Sequence, residues 1–88
     1  SIKGATRIAV VGAGHLGRFH AQKFSQMPDC QLIAICDVDP QKAKAVADEV
    51  KSQPITQYQE LLGKVDAVMI ATPTTHHFAV AQFFLQNG

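Results

Sequence analysis

The stretch that most constrains this chain is Arg7 to Gly17, RIAVVGAGHLG. A β-branched, apolar run from Arg7 to Val11 leads straight into Gly12-Ala13-Gly14-His15-Leu16-Gly17, and a helix-compatible segment follows at once. This is the pattern of a strand, a glycine turn and a helix start. In a turn built on Gly-x-Gly-x-x-Gly each glycine has its own task. Gly12 lets the chain leave the strand tightly, Gly14 removes a β-carbon that would block a pyrophosphate, and Gly17 lets the helix pack close. The unpaired amides and positive dipole end of that helix then favour a phosphate.

Three glycines alone are a weak signal, and their context strengthens it. Gln31 to Cys36, QLIAIC, reads as a buried strand that stops at Asp37, twenty positions after Gly17. A carboxylate at that distance is placed to hold both ribose hydroxyls of an adenosine. Val38 follows, and a carboxylate without a neighbouring Arg repels a 2′-phosphate, so NAD is favoured over NADP as the cofactor.

In chain order, Ser1 to Thr6 lacks periodicity and is expected to be a flexible leader or processing scar, with the domain spanning residues 7–88. A first helix is expected from His15 to Gln26, with Leu16, Phe19 and Phe24 of its partly apolar face lying on the sheet. Met27-Pro28-Asp29 ends it. Asp39 is a good N-cap and Pro40 a good first residue for a second helix running to Val50, whose Ala43, Val46, Ala47 and Val50 make a narrow apolar stripe. Pro54 to Thr56 is a short third strand, and Gln57 to Leu62 a short helix closed by Gly63. Asp66 to Ala71 is the fourth strand. After Thr72-Pro73-Thr74-Thr75, with Thr74 or Thr75 as cap, a last helix is expected from His76 to Gln86, stopped by Asn87-Gly88. Strands that are continuous apolar runs, alternating with helices, imply an α/β fold: a Rossmann-like doubly wound parallel sheet, incomplete at about four strands, in the order 3-2-1-4.

Composition excludes several classes. A net charge of +1 gives no electrostatic case for nucleic acid or a membrane surface. No apolar run reaches the roughly 18 residues needed to span a bilayer, and a signal-peptide core is absent, so a cytoplasmic location is expected. Cys30 and Cys36 stand at the two ends of one strand, some 20 Å apart at about 3.3 Å per residue, so they read as unpaired thiols in a reducing compartment. With no His or second Cys at ligand spacing beside them, no metal site is expected.

The residues by now resemble the glucose-fructose oxidoreductase, inositol dehydrogenase and MocA-type (Gfo/Idh/MocA) family of NAD(P)-dependent oxidoreductases. GAGHLGRFHA is similar to its first turn and helix, LIAICDVDP to its second strand and acidic end, and VDAVMIATPTTHHFAVAQFFLQNG to its fourth strand and following helix. The resemblance implies that Gly12, Gly14, His15 and Leu16 surround the pyrophosphate and that Asp37 takes the adenosine ribose. It places Thr72 and Pro73 at the nicotinamide-side ribose and ring, and His77 at the family's histidine position. His20 reads as a packing residue under the loop and His76 as a surface residue.

In the family, a fifth strand with a Glu-Lys-Pro motif and a substrate-holding second domain follow. This sequence stops at Gly88, so no catalytic acid or base is assigned in it. Lys23, Lys42, Lys44, Lys51 and Lys64 read as solvated charges away from the strand ends. The expected function is the nucleotide-binding part of an oxidoreductase that transfers a hydride between nicotinamide and an alcohol or polyol, of sugar or inositol type, bound by the missing domain. The rival reading is a non-catalytic NAD(H)-sensing or interaction domain. Either way, the unpaired edge of the fourth strand is expected to favour self-association as a homo-oligomer.

Overall fold

The computed structural model of the chain describes residues 4–87. The first half of the expected leader, residues 1–3, and the expected stop residue Gly88 lie outside the described residues. Four strands alternate with helices: β1 (Thr6–Val11), α1 (His15–Ser25), β2 (Cys30–Cys36), α2 (Pro40–Val50), β3 (Gln53–Ile55), a 3₁₀ turn (Tyr58–Leu61), β4 (Ala67–Ile70) and α3 (Thr74–Asn87). The sheet is parallel throughout and ordered β3-β2-β1-β4, the order expected from the pattern of strands and helices. β1 starts at Thr6, whose N–H donates to the Asp29 carbonyl at 2.8 Å.

β1 is central because both of its faces are covered. Ala9 and Val11 point into one core with Ala34, Cys36, Leu61 and Val80; Val10 points into the other with Ala21, Ile35, Val46 and Ala47. The first core is roofed by α3 and the 3₁₀ turn, the second by α1 and α2. Ile35 and Val10 are wholly buried, and burial of such a side chain stabilises the fold by about 1.5–3 kcal/mol. A register shift between Ile8 and Ala9 accommodates an extra residue of β2, since Ile8 pairs with Leu32 but Ala9 with Ala34. Ile33 and Ala34 consequently both pack against the first core.

α1 departs from expectation. Its buried residues are Gly17 and Ala21, with Phe24 partly buried, whereas Leu16 and Phe19 are 58% and 51% exposed. Small residues four apart let the helix approach the sheet closely, which turns the bulkier Leu16 and Phe19 outward. Lys23 lies over the Phe19 ring at 5.3 Å, and His20 stacks on Phe24 at 6.3 Å. α2 buries Ala43, Val46 and Ala47 as its stripe requires, and Asp39 caps it by accepting from the Gln41 and Lys42 amides at 3.0 and 3.4 Å. Arg18 forms a bidentate pair with Glu49 at 2.8 and 2.7 Å, tying α1 to α2.

α3 starts two residues earlier than expected. Both the His76 and His77 amides donate to the Pro73 carbonyl, so Thr75 lies inside the first turn rather than capping it. The helix is apolar nearly all round: Val80 and Phe84 meet the first core, while Phe78 and Leu85 are exposed. Among the described residues no helix is long and apolar enough to cross a membrane.

Candidate dinucleotide site

Parallel strands bring every strand's C-terminal end to one edge of the sheet. β1 is where the winding reverses, since the chain moves to one side for β2 and to the other for β4. Such a switch point leaves a crevice between the two connections. Here it is a cleft of about 550 Å³, lined by residues that include Gly12 to Leu16, Asp37, Val38, Lys42, Tyr58, Ala71 to Pro73 and His76. Its volume is that of an ordinary small-molecule site.

The three glycines are required for three different reasons. Gly12 has φ +111°, and a β-carbon on it would come within 2.7 Å of the Ala71 carbonyl group and 2.9 Å of the Thr72 nitrogen. It is the residue that lets the β1 and β4 connections touch. Its N–H donates to the Cys36 carbonyl at 2.7 Å, and the Ala71 N–H to the Val11 carbonyl at 2.7 Å, so the loop is held from both sides. A β-carbon on Gly17 would overlap the Gly12 carbonyl oxygen, so Gly17 is a packing requirement and lies beneath the cleft. Gly14 meets neither constraint. Its backbone is extended, with φ −79° and ψ −163°, and among the described residues no atom from elsewhere in the fold lies within 4 Å of where its β-carbon would be.

Gly14 is also the N-cap of α1, with no side-chain capping bond and no acid in the first turn. α2, by contrast, is capped by Asp39. The first residues of α1, His15 and Leu16, line the cleft, and among the described residues no side-chain cap takes the amides of that helix end, which is the arrangement that accepts an anion.

Asp37 is oriented by the backbone. Its Oδ2 accepts the Ala13 N–H at 2.8 Å and its Oδ1 the Asp39 N–H at 2.9 Å. Each oxygen of a carboxylate has capacity for a second hydrogen bond, so a fixed, acceptor-only group stands at the cleft wall. Thr72 contributes the opposite kind of signal: its Oγ1 is buried and without a partner among the described residues. Cys36, 2% exposed, is part of the cleft lining, where burial, aided by Asp37 and Glu60, pushes its thiol up to about 11.

Of the residues expected at the site, Gly12, Gly14, His15, Leu16, Asp37, Thr72 and Pro73 line the cleft together. Gly17 supports it from below. The two histidines of α3 differ from expectation: His76 lines the cleft, whereas His77 is exposed and is not part of the lining. Successive helical residues diverge by about 100°, so the two neighbours face different ways. Lys42, read from sequence as a solvated charge, lines the cleft too; α2 begins at Pro40, so Lys42 is in the turn nearest Asp37. Tyr58 was not expected at the site. It stands edge-on to Phe83 at 5.5 Å, and its signal in sequence was only its place just after the short third strand.

The comparisons agree with this geometry. Residues 6–88 match the model of the Gfo/Idh/MocA family, an oxidoreductase family with an NAD-binding Rossmann fold. Over 82 residues the chain is 45% identical to a UDP-N-acetylglucosamine 3-dehydrogenase of Acidithiobacillus ferrooxidans, covering 93% of this chain and 26% of that protein. It is 34% identical to an inositol 2-dehydrogenase of Rhizobium meliloti, covering 93% of this chain and 25% of that one. The structure of GenD2 from gentamicin A biosynthesis, solved in complex with NAD, superposes with a TM-score of 0.90 at 26% identity, over 99% of this chain and 26% of that one. The chain thus spans about a quarter of the length of the relatives it matches. With the parallel 3-2-1-4 sheet, the glycine turn and the acid after β2 all in place, the chain belongs to the Gfo/Idh/MocA oxidoreductase family and carries its NAD-binding Rossmann fold.

Proposed function

We propose that this chain is the dinucleotide-holding part of an NAD-dependent oxidoreductase acting on a secondary alcohol or the corresponding carbonyl of a sugar- or inositol-type substrate. The observation that carries the reading is the pairing of an uncapped α1 N-terminus at Gly14 with the backbone-held carboxylate of Asp37 across one cleft.

In this reading the α1 amides take the diphosphate, and Gly14 is a glycine because the phosphate occupies the space in which no protein atom stands. Asp37 accepts from the two hydroxyls of the adenosine ribose with the lone pairs its amide partners leave free. Val38, 87% exposed at the cleft mouth, offers apolar surface to the adenine. The unpartnered Thr72 hydroxyl bonds the nicotinamide-side ribose, and Pro73 packs near the ring. The bound nicotinamide would supply hydride chemistry; the residues here bind and orient. Relatives named for a sugar nucleotide and for an inositol support the substrate class. The acid and base of the reaction are placed outside these residues.

NAD is preferred because a 2′-phosphate would meet the Asp37 carboxylate. The test is Asp37→Ala, with NADH and NADPH affinities measured side by side. The expected result is weaker NADH binding and a narrower gap between the two coenzymes. An unchanged ratio would remove Asp37 from the ribose.

A further inference from the structure

We propose that His15 and His76, from the two connections flanking the β1–β4 switch point, form a titratable pair that contacts the diphosphate of the bound dinucleotide. Affinity then rises as the imidazoles take up protons. The inference rests on the dinucleotide reading and adds to it a residue, His76, and a pH dependence.

Both side chains are exposed and both line the cleft. His15 is the first residue of α1 and His76 stands in the first turn of α3, so each sits where its strand delivers the chain to the crevice. The fixed charges in the lining are one of each sign, Asp37 and Lys42. A diphosphate brings two negative charges, so the cleft's fixed side chains leave it undercompensated.

The surrounding acids are occupied elsewhere. On α2, Asp39 caps its own helix, Asp48 pairs with Lys44 and Glu49 with Arg18. Asp66, preceding β4, pairs with Arg7 at the opposite edge of the sheet. Asp37 is bonded to the Ala13 and Asp39 amides, and Glu60 bears on the Cys36 thiol. Neither α1 nor α3 has an acid in its first turn. The remaining titratable neighbours are the Tyr58 phenol in the lining and His77, exposed outside it. Among the described residues, then, no carboxylate forms an ion pair with either imidazole, and the charge gained on protonation is available to an anion. Imidazole is the side chain whose ordinary ionisation falls between about pH 5 and 8.

The sign follows from linkage. An anion beside an imidazole raises its pKa in the complex, so the complex binds more protons and affinity is highest below the free imidazole's pKa. The advantage fades as pH rises through that of the complex. A rise of one unit corresponds to about tenfold in affinity.

The test is calorimetric titration of the protein with ADP-ribose and with adenosine, at about pH 5.5 and about pH 8 and constant ionic strength. The expected result is ADP-ribose binding about tenfold tighter at the lower pH, with no such change for adenosine, which lacks the diphosphate. His15→Gln and His76→Gln should each flatten the dependence, and His20→Gln, altering a histidine packed on Phe24, should not. Equal ADP-ribose affinity at the two pH values, or a slope that survives in the doubly substituted protein, would overturn the pair. Failure of ADP-ribose to bind at either pH would overturn the dinucleotide reading, and the pair with it.

Discussion

Replacing Gly17 by Ala tests how closely α1 sits on the glycine turn. The new β-carbon would overlap the Gly12 carbonyl oxygen and lie 2.7 Å from its carbonyl carbon. These are backbone atoms, and Gly12 is itself held by its bond to the Cys36 carbonyl, so relief requires the helix to move. Helix propensity favours Ala over Gly by about 0.8–1 kcal/mol, while forcing atoms into a packed contact costs about 1–3 kcal/mol. Because the overlap is with rigid backbone, the upper part of that range applies, and the net loss is about 1–2 kcal/mol. With a urea m-value of about 1 kcal/mol/M for so small a chain, the unfolding midpoint should fall by about 1–2 M. Gly14→Ala, measured alongside by far-UV circular dichroism, meets no atom from elsewhere in the described fold within 4 Å. It should lose no more than an N-cap preference of about 0.5–1 kcal/mol, yet bind NADH more weakly. A Gly17→Ala midpoint equal to the parent's, or a Gly14→Ala protein as destabilised as Gly17→Ala, would refute the division between a glycine required by the fold and one required by the ligand.

Thr72→Val removes a buried hydroxyl that has no partner among the described residues, so thermal stability should hold or rise, while NADH affinity drops by about 3–10-fold as one hydrogen bond is lost; paired melting and binding curves check both. Cys30 is half-buried and Cys36 wholly so, so a thiol reagent should modify one cysteine of the folded chain readily and the second only on unfolding. Because the folded Cys36 thiol holds its proton up to about 11, its contribution to stability is whole below the unfolded thiol's pKa and is lost as pH rises from there through about 11, which alkaline melts of Cys36→Ala against the parent would reveal. Hydrogen bonds from the Arg7 side chain and N–H hold Asp66 below the ordinary carboxylate range. That stabilisation is present above the unfolded carboxylate's pKa and lost as pH falls through the folded one. Asp66→Asn should therefore flatten the acid side of the stability profile, with a small effect because the pair is solvent-exposed.

Much of the fold is legible in the sequence because its strands are unbroken apolar runs between strong punctuation. Asp39-Pro40 marks the start of α2, and Gly12 leaves the strand where φ is positive. What periodicity cannot show is how near two elements come. Gly17 and Ala21 draw α1 inward, so Leu16 and Phe19 face outward although they are the larger apolar residues. The extra residue of β2 at Ile33 is likewise invisible, since an apolar run looks the same with or without a register shift. At the site, residues carried by backbone turns were legible: Gly12, Gly14 and Asp37 announce themselves by type and spacing. Lys42 reaches the cleft although α2 begins at Pro40 as its pattern implies, because periodicity does not show which part of a helix's polar face meets a neighbouring turn; the elements that carry Tyr58 and His76 begin one and two residues from their expected starts, a difference that sequence patterns do not resolve.

The most direct measurement of the central claim is an amide NMR titration of the chain with NADH. The account predicts saturable shifts at Gly12 to Gly17, at Asp37 and at Thr72, the residues that form or support the cleft at the switch point. A dispersed, folded spectrum in which those amides stay fixed while NADH is added would contradict it.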